Sequence, residues 1–425
     1  MTLKNPNFKA IIIFFFPISL ILGSALVNLT LVVGSLFLIY QSYKEKIDFL
    51  KIIWVKIFFL LIIYLCLISF FAENFFSSFK SSISLIRFIL FSLFIFFFIV
   101  EKNFEKLKNL ITLLLFFVCI DVNIQFVFGY DIFGFPSEGY SVINYDIFSH
   151  WKNSEVSVGR LSGPFKSELI PGAFISSLSV PLIFYKFKAL KTENLFGKFK
   201  NILLVCLFLE STIITGERLS TLLILSCIFT SMIISFNLKK TIFIVAILSS
   251  SLFLLPISEN NFLKKRWVDA YNIFLNLNES SYGRIYTSAY HVWKANKLFG
   301  VGLKNYRINC QKISDPNPTS PHPLCSPTHA HNLYFELLSE TGFIGLIIYL
   351  SFYISLIIFL LKNINHKKKN KVIYYFGFGS LFYLFFKLLP LPTGSIFSTW
   401  NASIFWFHVG ISLSFLCKRS YFLNK

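Results

Sequence analysis

Charge is what this sequence has least of. Only 14% of its 425 residues are charged, and carboxylates are the scarcer sign, with 20 Asp and Glu against 40 Lys and Arg. A chain that is 55% hydrophobic and holds 55 phenylalanines cannot hide its apolar surface around one water-soluble core. A soluble globular domain is therefore excluded, and the composition reads as a polytopic membrane protein. Lys4 and Lys9 precede an apolar stretch from Ala10 that no small-residue cleavage site interrupts, so the first span is expected to be retained. The CxxC and HxxxH spacings of a compact zinc site are missing, and no metal is expected. No pair of carboxylates stands out as a general acid and base, and no cofactor motif appears. The net charge of +20 does not point to nucleic acid, because Lys and Arg sit in short clusters between apolar runs rather than on one face interleaved with aromatics. The partner they imply is the lipid bilayer.

What is present is a succession of apolar runs. A spanning helix needs roughly 20 apolar residues, and candidate spans lie near 10–24, 25–40, 53–72, 81–100, 109–128, 169–185, 201–215, 219–236, 241–257, 343–361, 372–390 and 400–416. The expected fold is thus all-α, with about 12 transmembrane helices and a large loop subdomain between the ninth and tenth. With a cytoplasmic N-terminus, every short turn on that side is basic: Lys44, Lys46 and Lys51; Lys102, Lys106 and Lys108; the lysines from Lys186 to Lys200; Lys239 and Lys240; those from Lys362 to Lys371; and the tail Lys418, Arg419 and Lys425. The turns 73–80, 129–168, 216–218, 258–342 and 391–399 then lie outside. Residues 1–128, 169–257 and 343–425 are expected as the membrane-embedded parts, 129–168 and 258–342 as outer loops. Within the larger loop, Ser281 to Tyr306 carries aromatics at near-helical spacing and turns at Gly300-Val-Gly302, which predicts one amphipathic helix on the membrane surface.

Four cysteines, Cys66, Cys119, Cys206 and Cys227, lie in spans and Cys417 at the cytoplasmic edge, where they read as packing residues. Cys310 and Cys325 share the outer loop, where an oxidising compartment would permit a disulfide; metal binding by these two with His322, His329 and His331 is the rival reading.

Chemistry concentrates on a few polar side chains. His331 stands where a polar loop meets an apolar helix, and an imidazole of ordinary pKa near 6.5 can take a proton from a hydroxyl at neutral pH. Glu336 and Glu340 follow it by five and nine residues, neither at the i+4 position that would orient the ring, so an orienting partner is expected from elsewhere in the fold. Arg218 sits in a turn too short to leave the membrane surface, and a planar fork of donors at headgroup depth suits a pyrophosphate. Arg284 opens the amphipathic helix and offers a second fork. Arg87 lies within a span, where an unpaired charge costs about 2.5 to 3.5 kcal/mol, so it should face a partner or a polar cavity. Lys387, Glu210 and Asp121 have the same status. Arg160, Lys166, His329 and Glu340 complete the set of secondary candidates.

These residues together resemble the O-antigen ligase and polymerase family of bacterial envelope glycosyltransferases. The family's pattern of His, then Asn, Ser or Gln, nine residues, Gly, two residues and Gly falls on His331, Asn332, Gly342 and Gly345. Its Arg, three residues, Leu element falls on Arg218 and Leu222, and its Gly-Arg opening and glycine turn fall on Gly283-Arg284 and Leu298 to Gly302. Phe128 to Gly134 and Arg160 to Phe165 look like outer-loop wording of many members. The sequence departs from common wording at Ala330, where Pro often sits between the two histidines, and at Glu217 to Ser220, where small residues are more usual, and the Glu217 carboxylate could weaken the pull of Arg218 on an anion. The resemblance implies transfer of a glycan from undecaprenyl diphosphate to an acceptor hydroxyl of lipid A core or another glycan, at the periplasmic face of the bacterial inner membrane, without nucleotide sugar or metal. Arg218 and Arg284 would hold the diphosphate, and His331 would be the general base. Ligase is favoured over polymerase by the His-Asn wording; a flippase for lipid-linked glycan is the alternative of another class, and a structural scaffold would leave Arg218 and His331 unexplained.

Overall fold

The computed structural model describes residues 6–45, 48–99, 101–137, 160–236, 261–277, 280–313, 325, 328–365 and 371–417. The expected span 241–257, His322, Gly159 and the basic residues Lys46, Lys239, Lys240, Lys367 to Lys369, Lys418, Arg419 and Lys425 lie outside them. Among the described residues the chain is helical, its only β pairing being isolated bridges. In chain order the helices are α1 (Pro6–Leu22), α2 (Ser24–Glu45), α3 (Ile53–Ser69), α4 (Phe75–Ser84), α5 (Ile86–Phe98), α6 (Glu101–Phe128), α7 (Pro171–Ala189), α8 (Leu195–Ile214), α9 (Arg218–Ser235), α10 (Asn261–Leu275), α11 (Ser281–Ala295), α12 (Tyr306–Ile313), α13 (Leu333–Lys362), α14 (Val372–Lys387) and α15 (Thr399–Leu416).

Five stretches among the described residues are long and apolar enough to cross a membrane: Ser24–Glu45, Phe75–Phe98, Asn103–Phe128, Arg218–Ser235 and Leu333–Lys362. Shorter apolar helices occupy Phe8–Leu22, Ile53–Ser69 and Val372–Lys387. Helices α7, α8 and α15 fall where the spans near 169–185, 201–215 and 400–416 are expected. The surface of α2 shows why lipid is the matching solvent. Leu29, Val32, Leu36 and Ile39 are exposed at helical spacing, a stripe that water would drive into aggregation. A buried serine can be satisfied inside such a helix by donating to the preceding turn, as Ser69 Oγ does to Leu65 O at 2.7 Å.

The chain divides into two compact units. The first comprises Met1–Leu26, Ile99–Tyr271 and Lys367–Phe386. Its helices pack through apolar rings, Phe104 lying 5.5 Å from Tyr185 and 5.2 Å from Phe376. On its surface Lys371 pairs with Glu101 at 3.1 Å. The second unit comprises Val27–Phe98, Asn272–His366 and Lys387–Lys425. Here Phe58 lies 4.9 Å from Phe352 and 4.6 Å from Trp406, tying α3, α13 and α15 together. Arg87, read from the sequence as a charge within a span, finds its partners in this unit. Its Nη2 donates to Thr399 Oγ1 at 3.4 Å, and its guanidinium carbon lies 4.7 Å from the centre of the Phe88 ring.

The amphipathic helix expected from Ser281 to Tyr306 is shorter, ending at Ala295. The segment after it runs as a strap across α13. That helix is interrupted at Gly342, whose backbone (φ 67°, ψ −173°) is not helical. Phe343 N donates to Lys297 O at 2.9 Å and Ile344 N to Leu298 O at 3.2 Å on one side of the break. Val301 N donates to Ser339 O at 3.0 Å and Gly302 N to Glu340 O at 2.8 Å on the other. The two backbones touch so closely that a Cβ on Gly342 would stand 2.2 Å from Leu298 O, and one on Gly300 would stand 2.5 Å from Gly342 N. The glycines of the Gly-Val-Gly turn and of the helix are therefore two halves of one joint.

Candidate functional site

The second unit carries the segment from Thr328 to Glu336, and its geometry starts with an unusual backbone. His331 has φ 51°, in the left-handed region where a side chain other than glycine is strained by about 1–3 kcal/mol. A loop between α14 and α15 holds it there. Thr393 N donates to His331 O at 2.9 Å, Asn332 forms a bridge with Pro392, and Tyr334 Oη donates to Leu388 O at 2.7 Å. Asn332 then opens α13, its Oδ1 accepting from Tyr334 N at 2.9 Å and Phe335 N at 3.3 Å. None of these loop contacts is foreshadowed by the sequence.

The turn at His331 brings two imidazoles together, with the rings of His329 and His331 4.1 Å apart. His329 is committed on both sides. Its Nε2 faces Thr393 O at 3.2 Å and its Nδ1 faces the Thr328 hydroxyl at 3.0 Å. A carbonyl can only accept, which assigns the proton to Nε2 and leaves Nδ1 to accept from Thr328. Burial holds the His329 pKa below the usual histidine value, and the charges of Lys304 and Arg307 add to that against the opposing bond to Thr393. His331 is pushed down to about 4, by burial first and by His329 second. Both rings are therefore neutral at neutral pH. Tyr282 of α11 stands edge-on to His331 at 6.2 Å, and Tyr286 stacks on Phe335 at 5.0 Å. Among the described residues none hydrogen-bonds a ring nitrogen of His331.

The two carboxylates that follow His331 are engaged with neighbouring segments. Glu336 is buried and accepts from Ser395 Oγ and, at 3.1 Å, from Ile396 N. Glu340 is likewise buried and accepts from the backbone N–H groups of Lys304 and Tyr306. They fasten the neighbouring loops to α13, and the group beside His331 is another imidazole. Arg284 lies on α11, two residues past Tyr282 and so on another flank of the helix. Cys310 and Cys325 are joined in a disulfide with their Cα atoms 5.4 Å apart. It belongs to a small core of Ala289, Val292, Val301, Tyr306 and Ala330, so the residue between the two histidines shares a core with the disulfide. Both thiols are consumed by this bond.

Arg218 belongs to the first unit, as the first residue of α9. Gly216 ends α8 with φ 70°, and Thr221 Oγ1 donates back to Thr212 O at 3.3 Å, so the intervening turn is tightly folded. Arg266, on α10, reaches the same turn, its Nη2 donating to Gly216 O at 3.4 Å. Sequence reasoning missed this arginine, which only the run Lys264-Lys265-Arg266 marked. Glu217 turns aside from its neighbour, accepting from Gly172 N at 2.9 Å and from Ser220 Oγ at 3.0 Å. Arg160 donates to Leu169 O at 2.9 Å. Lys166 is exposed at the end of a short 3₁₀ turn, Gly163–Phe165. Of the remaining charged candidates, Glu210 Oε2 accepts from Asn123 Nδ2 at 3.2 Å, and Asp121 Oδ1 accepts from Ile132 N at 2.8 Å. Lys387 closes α14.

Residues 202–350, about a third of the chain, match the family described as O-antigen ligase. The matched segment runs from α8 into α13 and holds Arg218, Arg266, Arg284, His329 and His331. No curated protein matches the chain.

Proposed function

From a membrane-type helical chain whose central segment carries the O-antigen ligase pattern, we propose a glycosyltransferase that moves a glycan from undecaprenyl diphosphate to an acceptor hydroxyl. The observation that carries this reading is the His331 ring, neutral, half-buried and, among the described residues, without a hydrogen-bond partner at either nitrogen. Such a ring accepts the proton of an acceptor hydroxyl as the oxygen attacks the anomeric carbon. The bond from that carbon to the phosphate oxygen breaks, and undecaprenyl diphosphate leaves with the electron pair. Inversion at the anomeric carbon follows from a single displacement. Negative charge arriving with the donor raises the basicity of His331 where it is needed. Arg284 and Arg218 are the proposed guanidinium forks for the diphosphate, because compensating charge on a leaving group is commonly the largest catalytic contribution. The leaving group is already a good one, so neither a general acid nor a metal is required.

The short basic turns support an outer, periplasmic location in a bacterial inner membrane for the site, and the disulfide beside the histidines fits an oxidising compartment. A ligase acting on lipid A core is preferred to a polymerase joining lipid-linked repeats, on the His-Asn wording at His331 and Asn332. Reconstituting the full chain with undecaprenyl-diphosphate glycan and each candidate acceptor tests the assignment. Product should form with the native chain and fall at least about a thousandfold in His331→Ala, in line with loss of a general base. Transfer left unchanged by that substitution, with glycan merely carried across the bilayer, would replace the enzyme by a flippase.

A further inference from the structure

The C-terminal end of α6 holds two carboxylates that the proposed transfer does not use. The loop that follows this helix folds back along it. The Phe133 ring lies 6.4 Å from that of Phe117, Ile132 N donates to Asp121 Oδ1 at 2.8 Å, and Gln125 Nε2 donates to Phe135 O at 3.1 Å. Within the loop, Asp131 Oδ1 accepts from Phe133 N at 3.0 Å and from Phe135 N at 2.6 Å. Each carboxylate thus commits one oxygen to the same short run of backbone. The other oxygen of each, Oδ2, is sealed from solvent and has no hydrogen-bond partner among the described residues. Neither side chain forms an ion pair among them. A third oxygen is in the same condition. Ser137 N donates to Gly129 O at 2.9 Å, and Tyr130 pairs with Pro136 in an antiparallel bridge. Side chains alternate about such a bridge, so Asp131 and Ser137 share the face opposite Tyr130 and Pro136. The Ser137 hydroxyl is 2% exposed and also unpartnered among the described residues. Gln125 does not serve these atoms: its Oε1 takes Ser162 N at 2.9 Å and Gly163 N at 2.8 Å, and its amide also donates to Ser162 Oγ at 3.1 Å. The segment it holds brings Gly163 beside Asp121 Oδ2, 3.7 Å from where a Cβ would stand.

Two buried carboxylates without a compensating cation are strongly unfavourable. Carboxylate and hydroxyl oxygens on a flexible loop rich in backbone carbonyls suit calcium, which accepts six to eight such ligands in variable geometry, better than magnesium, which demands a near-ideal octahedron. We propose that Asp121, Asp131 and Ser137 form a divalent cation site of the calcium type that fastens the loop after α6 to the helix. Backbone carbonyls of the loop and water complete the shell. The ion is structural and takes no part in glycan transfer, so the site stands or falls apart from the transferase reading. With two carboxylates its affinity belongs to the weak class, half-saturated at about 0.1–1 mM.

The test is a titration of the chelator-stripped full chain in detergent with calcium chloride at constant ionic strength, followed by calorimetry and thermal unfolding, with magnesium chloride as the comparison. The native chain should bind one calcium ion and unfold at a higher temperature as the site fills, with magnesium at least about tenfold weaker. Asp121→Asn and Asp131→Asn should each weaken calcium at least about tenfold, because ligand charge sets the affinity. Each keeps an oxygen for the backbone amides and removes one of two unbalanced charges. In the absence of calcium these variants should therefore unfold at or above the temperature of the stripped native chain, which separates a lost ligand from a lost fold. No saturable binding by the native chain up to about 10 mM, well beyond the weak limit, would overturn the site, as would calcium binding that neither variant weakens. A native chain indifferent to calcium but stabilised as the pH falls, with that gain absent in Asp131→Asn, would replace the ion by a proton shared between the two carboxylates.

Discussion

Replacing Gly342 by alanine should be among the most damaging single-atom changes available to this chain. Its φ of 67° with ψ of −173° lies in a region almost confined to glycine. The added methyl would meet only backbone: Leu298 O at 2.2 Å, Leu298 C at 2.4 Å and Gly300 N at 2.6 Å. No rotamer change relieves such contacts, so the strap must lift away or the helix must shift. Lifting the strap forfeits the four backbone hydrogen bonds that flank the break, each worth about 0.5–1.5 kcal/mol. Holding it costs about 1–3 kcal/mol in backbone strain before any clash is counted. The first route comes to roughly 2–6 kcal/mol, a large part of the stability of an ordinary domain, about 5–15 kcal/mol. Thermal unfolding of the detergent-purified chain, followed by tryptophan fluorescence, should show a pronounced loss for Gly342→Ala. Gly134→Ala, where φ is 85° but nothing lies within 4 Å of the new Cβ, should lose far less. Equal melting temperatures for the two variants would refute the interlocked joint.

The neutral form of His331 is the one that accepts a proton, and a pKa lowered to about 4 keeps that form populated as the pH falls. The acid limb of kcat/KM should therefore lie near 4 instead of 6.5, and His329→Ala should move it upward part of the way, since burial remains as the larger cause; a limb at 6.5 in the native chain would contradict the buried imidazole pair. Joining Cys310 to Cys325 across a sequence separation of 15 should contribute about 3 kcal/mol, so reductant should lower the unfolding temperature of the native chain and leave that of Cys310→Ser/Cys325→Ser unchanged.

Much of the helical architecture was legible because lipid imposes a simple rule on sequence. Apolar runs between lysine clusters coincide with helices even at α7 and α8, where serine, lysine and glutamate dilute the apolar run. His331 was legible because it stands immediately before such a run. Its setting was not. Helical spacing turned attention away from Glu336 and Glu340 towards a partner elsewhere in the fold, but gave no sign that a left-handed backbone at His331 would bring its ring to 4.1 Å from that of His329, two residues back. The loop of Leu388 to Ile396 that grips this segment is more than fifty residues away, and no local pattern announces such a contact. Arg266 was hidden for a similar reason, as a third basic residue in a row gives no sign that it returns to the turn at Gly216. Glu217 was visible beside Arg218, but its hydrogen bonds to Gly172 of α7 and to Ser220 were not.

The break at Gly342 looks like a hinge and is built as a splint. Bonds from the strap seize the backbone both before and after the discontinuity, so the first turns of α13 cannot swing independently of the long apolar stretch that follows. The imidazoles at its head are consequently carried at a height fixed by how that stretch settles among acyl chains. A bilayer of different thickness, or bulkier residues at Phe343, Ile347 or Ile354, all exposed on the apolar stretch, would raise or sink the two rings relative to the headgroups without altering a single bond around them.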